Sequence, residues 1–322
     1  MNKIKPNPVI DIIDGHNWLN RAYYSSLKNK GMTLKDGTPT GAAKTFCVML
    51  NALIRRRLAS RGQVILAVVF DHKKGSDKRK KIMRDFMEKR LRGEDAAKFP
   101  EKYLSGYKGN RFSDGDDAKS IALRPQLKMI IDILTARGIH PITSVHGEAD
   151  DIIGSLCFQL KCRKYIWSRD GDFAQLLKPD TRLRLPKQDN SEEQDITYQS
   201  CLEKYGVIPP MFVDLLALTG DQSDNIPGIP GVGDKTAIEL LMQYEDLDSI
   251  FQAEHKGALG KKLKDPFYQD LCFMCRDLVE IKKDLKVDTR LSTYLLEPWS
   301  KKVERKVRSV EKQFEFKETF NC

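Results

Sequence analysis

The residues best suited to chemistry in this sequence are aspartates and glutamates that gather in short clusters. In VHGEADDIIGSL, residues 145–156, Glu148, Asp150 and Asp151 precede an apolar pattern with helical spacing. One explanation is helix capping, because acids in a first turn accept hydrogen bonds from free N–H groups and complement the helix dipole. The other is a hard divalent cation, which takes oxygen ligands and neutralises the repulsion between them.

Apolar runs that read as strands provide the context for these acids. The predicted strands are residues 9–13, 64–70 and 165–168, with 142–145 as a weaker candidate. Helical patterns lie between them, at about 40–60, 121–137 and 148–162. Strands that alternate with helices predict an α/β fold with a doubly wound, mainly parallel sheet.

A carboxylate or a carboxylate cluster follows each predicted strand. In an open α/β sheet the C-terminal strand ends line the ligand crevice, so these acids should converge although they are far apart in sequence. Capping does not predict that four strands end alike, and the pattern therefore favours a divalent metal site. The acids are Asp14, Asp71, Glu148, Asp150, Asp151, Asp170 and Asp172.

Composition points to a polyanionic partner. The 322 residues carry a formal net charge of +10, and the cations concentrate in Lys73–Arg92 and Lys301–Lys312. A chain that is basic overall but acidic in one small place fits an enzyme that holds a polyanion and cuts it with bound metal.

There is no apolar run of the roughly 20 residues needed to span a bilayer, nor a signal-peptide pattern, which predicts a cytoplasmic protein. The seven cysteines read as reduced thiols, and the single C-x-x-C at 272–275 lacks the second ligand pair that zinc requires.

Helical patterns dominate after residue 190, at 196–206 and 209–219. Asp221 and Asp224 then precede a glycine-rich turn, GIPGVG, that leads into a helix capped by Asp234. Such a turn can present backbone N–H groups to a phosphate. An ordinary helical hairpin would need only one glycine, so phosphate contact is the favoured interpretation. The residues concerned are Gly228, Gly231, Gly233 and Lys235.

Several motifs together resemble the 5′-nuclease family, which includes the 5′-nuclease domain of bacterial DNA polymerase I and free-standing phage flap endonucleases. The motifs are IDGHNWLNRAYYSS, VVFD, YKGNR, GEADDIIGSL, SRDGDFAQLL and YGVIPPMFVDLLALTGDQSDNIPGIPGVGDKTA. The resemblance covers roughly residues 8–290 and implies a PIN-like fold with a helix-hairpin-helix. No polymerase region follows, so the chain resembles a stand-alone enzyme. Members hydrolyse DNA or RNA from 5′ ends and cut 5′ flaps, with two magnesium or manganese ions.

The resemblance also implies roles for individual residues. The first ion would be held mainly by Asp14, Asp71, Glu148, Asp150 and Asp170. The second would be held by Asp170, Asp172, Asp221 and Asp224, with Asp151 nearby. Tyr107, Lys108 and Arg111 match a basic motif at the base of the helical arch, where the tyrosine can stack on a base and the cations approach the scissile phosphate.

The segment between Asp71 and Lys108 is longer than in the polymerase I form. It reads either as an enlarged arch around single-stranded DNA or as a solvated excursion, and its DNA-binding candidates are Lys78, Arg79, Lys80 and Lys81. The predicted organisation is a nuclease core at 1–190 with the arch at about 73–112, a helical DNA-binding region at 191–300, and a basic tail at 301–322.

Two other classes of function fit the sequence less well. The complete set of acids disfavours a DNA-junction binder without metals. Asp221, Asp224 and the hairpin disfavour an RNA-cleaving or phosphatase-like enzyme. Branched or 5′-ended DNA is the expected substrate of a monomer. Potassium at the hairpin, and partners such as a single-strand-binding protein or a polymerase, are further expectations.

Overall fold

A computed structural model describes residues 4–27, 32–110, 118–186 and 193–322. Its centre is a five-stranded sheet, in which the first four strands of the chain are parallel and the last is antiparallel to its neighbour. The strands are β1 Val9–Asp14, β2 Ile65–Val69, β3 Arg163–Trp167, β4 Thr181–Leu185 and β5 Gln194–Ile196. They lie in the order β2-β1-β3-β4-β5.

Helices cover both faces of the sheet, because alternate side chains of the central strands point to opposite sides and both sides are apolar. Ile10 and Ile12 of β1 belong to one buried cluster, whereas Ile13 belongs to the other. The predicted doubly wound α/β fold is therefore confirmed. The helices are α1 Gly15–Leu27, α2 Gly41–Arg61, α3 Asp77–Arg90, α4 Ala118–Arg137, α5 Ala149–Gln159, α6 Ser200–Tyr205, α7 Phe212–Thr219, α8 Asp234–Tyr244, α9 Leu247–Gln252, α10 Gly257–Lys264, α11 Pro266–Val279 and α12 Lys301–Gln313.

The sheet differs from the sequence-based prediction at two places. Residues 142–145 contribute only one isolated bridge, between Ile142 and Val69, and not a strand. Conversely, β4 and β5 were not predicted, and β5 occupies residues 194–196 where a helix was expected to begin. In β4, arginines alternate with apolar residues, and Arg184 pairs with Asp195 of β5 at 2.5 Å. The sheet therefore extends past the predicted boundary at residue 190.

The segment after Asp71 was expected to be an arch or a solvated loop, and the structure shows a packed layer instead. α3 buries Met83 completely and packs against α11, where the ring centroids of Phe86 and Phe267 are 6.1 Å apart. Ion pairs from Arg90 to Asp270 (3.2 Å) and from Lys98 to Asp265 (2.7 Å) join the same two regions. The cause is amphipathicity, because one helix face is apolar enough to require a covering element.

The basic C-terminal segment is also part of the core. α12 packs against α4, Val307 is fully buried, and Phe320 inserts into the same apolar cluster. The lysines and arginines of α12 lie mainly on its outer side. Within the described residues, no helix combines the length and hydropathy of a membrane span. All seven cysteines are free thiols.

Candidate active site

The carboxylates predicted from the sequence meet in one cleft at the C-terminal ends of the parallel strands. The cleft has a volume of about 440 Å³. Asp14 ends β1, Asp71 lies two residues beyond β2, and Asp170 lies three beyond β3, as the strand order requires. Seven of the nine predicted acids line the cleft: Asp14, Asp71, Asp150, Asp170, Asp172, Asp221 and Asp224.

Backbone donors orient several of these carboxylates. Asp14 accepts hydrogen bonds from the Asn17 N–H (3.0 Å) and the Ser168 hydroxyl (2.8 Å). The N–H of Asp172 donates to Asp170 at 3.0 Å. By contrast, no described residue donates a hydrogen bond to the side chain of Asp150 or Asp172. A substitution at either position would therefore break no hydrogen bond with the described residues.

Burial and mutual repulsion disfavour the charged forms of the clustered acids. Burial, opposed by two hydrogen bonds and reinforced by Asp170 and Asp71, raises the pKa of Asp14 to about 7. Burial, followed by the charges of neighbouring acids, also raises the pKa values of Asp150, Asp170 and Asp172. Such a cluster gains stability from bound cations, because the opposite charge favours the ionised form.

These raised pKa values predict a pH-dependent stability in chelator. A carboxylate with a raised pKa binds its proton more tightly in the folded than in the unfolded state, where its pKa is about 4. The stability it contributes is therefore present at low pH and is lost as the pH rises from about 4 through about 7, the pKa of Asp14. We expect the free energy of unfolding in urea to fall by more than about 1 kcal/mol between pH 5 and pH 7. The fall should shrink in a D150N/D172N variant, and equal slopes for the two proteins would contradict the prediction.

Helix capping and cation binding, the two explanations for the acids of the GEADD motif, apply to different residues. Asp150 faces the cleft, whereas Asp151 is only 2% exposed and accepts the N–H of Glu148 at 3.0 Å. Capping is therefore correct for Asp151, and cation binding remains available to Asp150. Asp151, which was predicted as a metal ligand, lies behind the cleft in this structure and caps α5.

Arg79 explains why Asp151 and Glu148 can be buried as charges. Its guanidinium donates twice to Asp151, at 2.7 Å each, and once to Glu148 at 2.9 Å. Its remaining donors reach the carbonyls of Leu278 (2.8 Å) and Glu280 (3.0 Å), so all five N–H groups are used. Although burial opposes the charge, the ion pair with Asp151 outweighs it and raises the pKa of Arg79. Arg79 was predicted to bind DNA, but this burial leaves it no access to a nucleic acid.

A loop at residues 105–110 closes one side of the cleft. Lys108 has a positive φ of 56°, and its N–H donates to the Asp224 carbonyl at 2.8 Å. Its ammonium pairs with Glu148 and lies 3.5 Å from Asp224. Lys108 is the one lysine or arginine among the described residues that line the cleft. Its ammonium therefore supplies a positive charge beside the carboxylates.

Tyr107 lies beneath this loop. Its hydroxyl donates to Glu148 at 2.8 Å and lies 3.0 Å from Asp224, and the ring is 4% exposed. Burial, together with these two acids, raises its pKa. The expected stacking on a base is therefore not available to Tyr107 in this conformation. Arg111, the third residue predicted here, lies outside the described residues.

His16 lines the cleft and was not selected from the sequence. Its Nδ1 accepts the Asp71 N–H at 3.1 Å, which leaves the ring proton on Nε2. Burial lowers its pKa, against the opposing charge of Asp71, so the ring is neutral near pH 7. Asn17 and Asn20 of α1 line the same wall. His16, Asn17 and Asn20 could have been found in the sequence from their positions on the helix that follows Asp14.

The donor set suits a hard divalent cation. Seven carboxylates face one cleft, and carboxylate oxygens are the ligands that magnesium and manganese prefer. Within the described residues, no three acidic, imidazole or thiol groups are already gathered tightly enough to hold an ion. Magnesium normally retains several waters, so direct ligation by every acid is not required.

The glycine-rich turn joins α7 to α8. Ile229 and Val232 are buried anchors, whereas Gly231, Gly233 and Lys235 are exposed. The first-turn N–H groups of α8 lie beside the exposed residues and have no partners within the helix. Gly228 is different, because it is buried with a φ of 62°, and a Cβ there would lie 2.4 Å from the Gly220 nitrogen. Gly228, which was predicted to contact DNA, is therefore required for close packing of the turn against Gly220.

Comparisons with known proteins agree with this geometry. Residues 9–206 match the family profile of the 5′-3′ exonuclease N-terminal resolvase-like domain, and residues 207–302 match the 5′-3′ exonuclease C-terminal SAM fold. A 5′-3′ exonuclease of Buchnera aphidicola subsp. Baizongia pistaciae is 32% identical over 86% of this chain and 82% of its own length. A DNA polymerase I of Rhizobium leguminosarum is 30% identical over 92% of this chain, which spans only 27% of that relative.

Solved structures share the fold at lower sequence identity. The phage T5 D15 protein, co-crystallised with metal ions, is 17% identical, with a TM-score of 0.60 over 95% of this chain and 99% of its own. The catalytic core of Rad2 in complex with a DNA substrate has a TM-score of 0.54 at 17% identity, over 95% of this chain and 86% of its own. From the profile match over most of the chain and the relative of similar length, the chain belongs to the 5′-3′ exonuclease family.

Proposed function

We propose that this protein hydrolyses DNA from 5′ ends and cuts 5′ flaps at branch points, in primer or flap removal during replication and repair. The observation that carries the proposal is the convergence of seven carboxylates with Lys108 in one cleft, followed a few residues later in the chain by the exposed glycine turn. The acids supply sites for cations, and the turn supplies a contact for a phosphate backbone. The D15 protein of phage T5 is named a flap endonuclease in a complex with DNA and metal ions, which supports the same activity here.

Two divalent ions, magnesium or manganese, would bind in the cleft. Asp14, Asp71, Asp150 and Asp170 would hold the first, with Glu148 behind them, and Asp170, Asp172, Asp221 and Asp224 the second. Such ions activate the attacking water and stabilise the leaving oxygen of a phosphodiester. The chain's own contribution is to orient the acids, to place Lys108 beside the phosphate, and to offer the Nε2–H of His16 as a neutral donor.

The exposed turn would bind the duplex part of the substrate. Gly231 and Gly233 let a phosphate approach the first N–H groups of α8, and Lys235 adds a charge beside them. Lys78, Lys80 and Lys81 are exposed on α3 and would contribute less specific attraction. Potassium at the turn, a monomeric state, replication-protein partners and action in the cytoplasm of a bacterial or phage-infected cell are further parts of this proposal.

The turn allows a clean test, because a Cβ on Gly233 would meet nothing within 4 Å and its φ of −102° suits any residue. G233A should keep its thermal stability and weaken duplex binding by about tenfold, the scale of a lost charge-assisted hydrogen bond. Single-strand affinity should change less. G228A is the structural comparison and should lower the melting temperature. Equal loss of affinity on duplex and single strand would argue against a phosphate contact at the turn.

One assay separates the proposed function from its alternatives. A 5′-labelled flap, a nicked duplex and a blunt duplex are incubated with magnesium or with chelator. We expect rapid release of a short oligonucleotide from the flap, slower cleavage at the nick, and no product in chelator. Binding of the flap without cleavage in any metal would identify a DNA-junction binder. Cleavage of RNA alone would identify an RNA-cleaving enzyme.

A further inference from the structure

We propose a nucleobase-binding subsite at Tyr24 and Lys119 that takes one base of the single-stranded 5′ segment of the substrate. This inference rests on the proposed function and adds the path of the strand outside the cleft. Tyr24 is 57% exposed, so its ring is available to a ligand. The Lys119 ammonium lies 4.9 Å from its ring centroid and 3.5 Å from its hydroxyl. An exposed ring with an adjacent cation is the combination that binds a base and its phosphate.

The position of Tyr24 on α1 connects it to the cleft. Asn17 and Asn20 line the cleft, and Tyr24 follows them at i+7 and i+4 on the same helix face. With a rise of 1.5 Å per residue, Tyr24 stands about 10 Å beyond Asn17 along the helix. A strand that leaves the carboxylates along α1 would therefore reach Tyr24 within a few nucleotides.

The local structure holds the ring in place. Tyr23 packs edge-on against Tyr24, with centroids 5.4 Å apart and an interplanar angle of 71°. Tyr23 in turn packs against the buried cluster that contains Trp18 and Leu19. Less side-chain entropy is therefore lost when a base stacks on Tyr24.

The expected ligand is single-stranded rather than duplex. Bases in a duplex already stack on one another, and exposing one costs a few kcal/mol. A free strand offers its bases without that cost, and stacking on an aromatic ring tolerates any base. The subsite should therefore discriminate flaps from blunt duplexes without reading sequence.

The chain contains a matched control pair at the C-terminal end of α5. Phe158 is 60% exposed, and the Lys178 ammonium lies 4.7 Å from its ring centroid. Phe158 lies nine positions after Ala149 on α5, just as Tyr24 lies nine positions after Gly15 on α1, so both rings stand about 14 Å along their helices. The two rings differ in helix face, because Tyr24 is aligned with the cleft residues of α1, whereas Phe158 is turned by about 80° from the cleft residue Asp150.

The test uses the full-length protein and flap DNA that carries 2-aminopurine at successive flap positions, in calcium to limit cleavage. With the wild type, one position near the junction should change its fluorescence on binding. Y24A should abolish that change and weaken flap binding by about tenfold, whereas Y24F should retain both. F158A should behave as the wild type, and blunt-duplex binding should be unchanged in all variants.

The proposal is overturned if Y24A binds the flap as tightly as the wild type, or if it loses flap and blunt-duplex affinity equally. It is also overturned if no 2-aminopurine position responds to wild-type binding. Failure of the proposed function would look different, because the wild type would then bind the flap, with the fluorescence change, yet leave it uncut in magnesium.

Discussion

Replacing Asp172 by asparagine should reduce cleavage of a 5′ flap by about a thousandfold or more and leave the fold intact. Its carboxylate faces the cleft, and no described residue donates a hydrogen bond to it. Asparagine keeps the size and removes only the charge, so a cation site is lost without a structural contact. Flap binding in chelator should remain within about threefold of the wild type, because the turn and the basic surface supply affinity.

The variant also separates charge repulsion from catalysis. In chelator, D172N should be as stable as the wild type or more stable, since burial and then the neighbouring acids raise the pKa of Asp172, and the substitution removes that buried like charge. Magnesium should raise the melting temperature of the wild type more than that of D172N. D195N is a suitable control, because Asp195 pairs with Arg184 on the sheet and does not line the cleft. Near-normal cleavage by D172N would show that Asp172 does not hold a cation needed for cleavage.

Replacing Arg79 by methionine should destabilise the protein by about 3–5 kcal/mol at pH 7. The guanidinium is 8% exposed and neutralises Glu148 and Asp151, so its loss leaves both carboxylates buried, and of the two only Glu148 pairs with Lys108. It also removes the link from α3 to the carbonyls of Leu278 and Glu280 at the end of α11. The measurement is urea unfolding followed by circular dichroism.

Neighbours on α3 provide the control for Arg79. Lys80 is the next residue along the helix and is exposed, so K80M should change stability by less than about 0.5 kcal/mol. R79K keeps the charge but cannot supply the five-donor fork, and should fall between R79M and the wild type. If R79M unfolds within about 1 kcal/mol of the wild type, the pairing of Arg79 with Asp151 contributes little to the fold.

The sequence predicted the sheet and the cleft because both depend on local patterns. Apolar runs marked β1, β2 and β3, and the rule that strand ends line the crevice brought Asp14, Asp71 and Asp170 together. β4 was missed although its arginines alternate with apolar residues as in a half-buried strand, because the run has only five residues and its partners, β3 and Asp195 of β5, lie in other segments of the chain. Periodicity does not report such cross-strand pairing.

The roles of buried polar residues could not be predicted from the sequence. Among four consecutive cations on α3, Lys78, Arg79, Lys80 and Lys81, only Arg79 turns inward, because the helix face that meets α11 and α5 includes that position. Similarly, Asp150 and Asp151 are adjacent, yet one faces the cleft and the other caps α5. A helix advances 100° per residue, so neighbours in a cluster have different surroundings.

Single-turnover cleavage of a 5′-labelled flap as a function of magnesium concentration tests the central proposal most directly. If the carboxylate cleft works with two ions, the rate should rise with an apparent order of about two below saturation, and should be absent in chelator. The label should appear in a short oligonucleotide cut near the junction. A rate that persists in chelator, or that is unchanged when Asp150 and Asp172 are both replaced by asparagine, would contradict the assignment of the cleft as the catalytic centre.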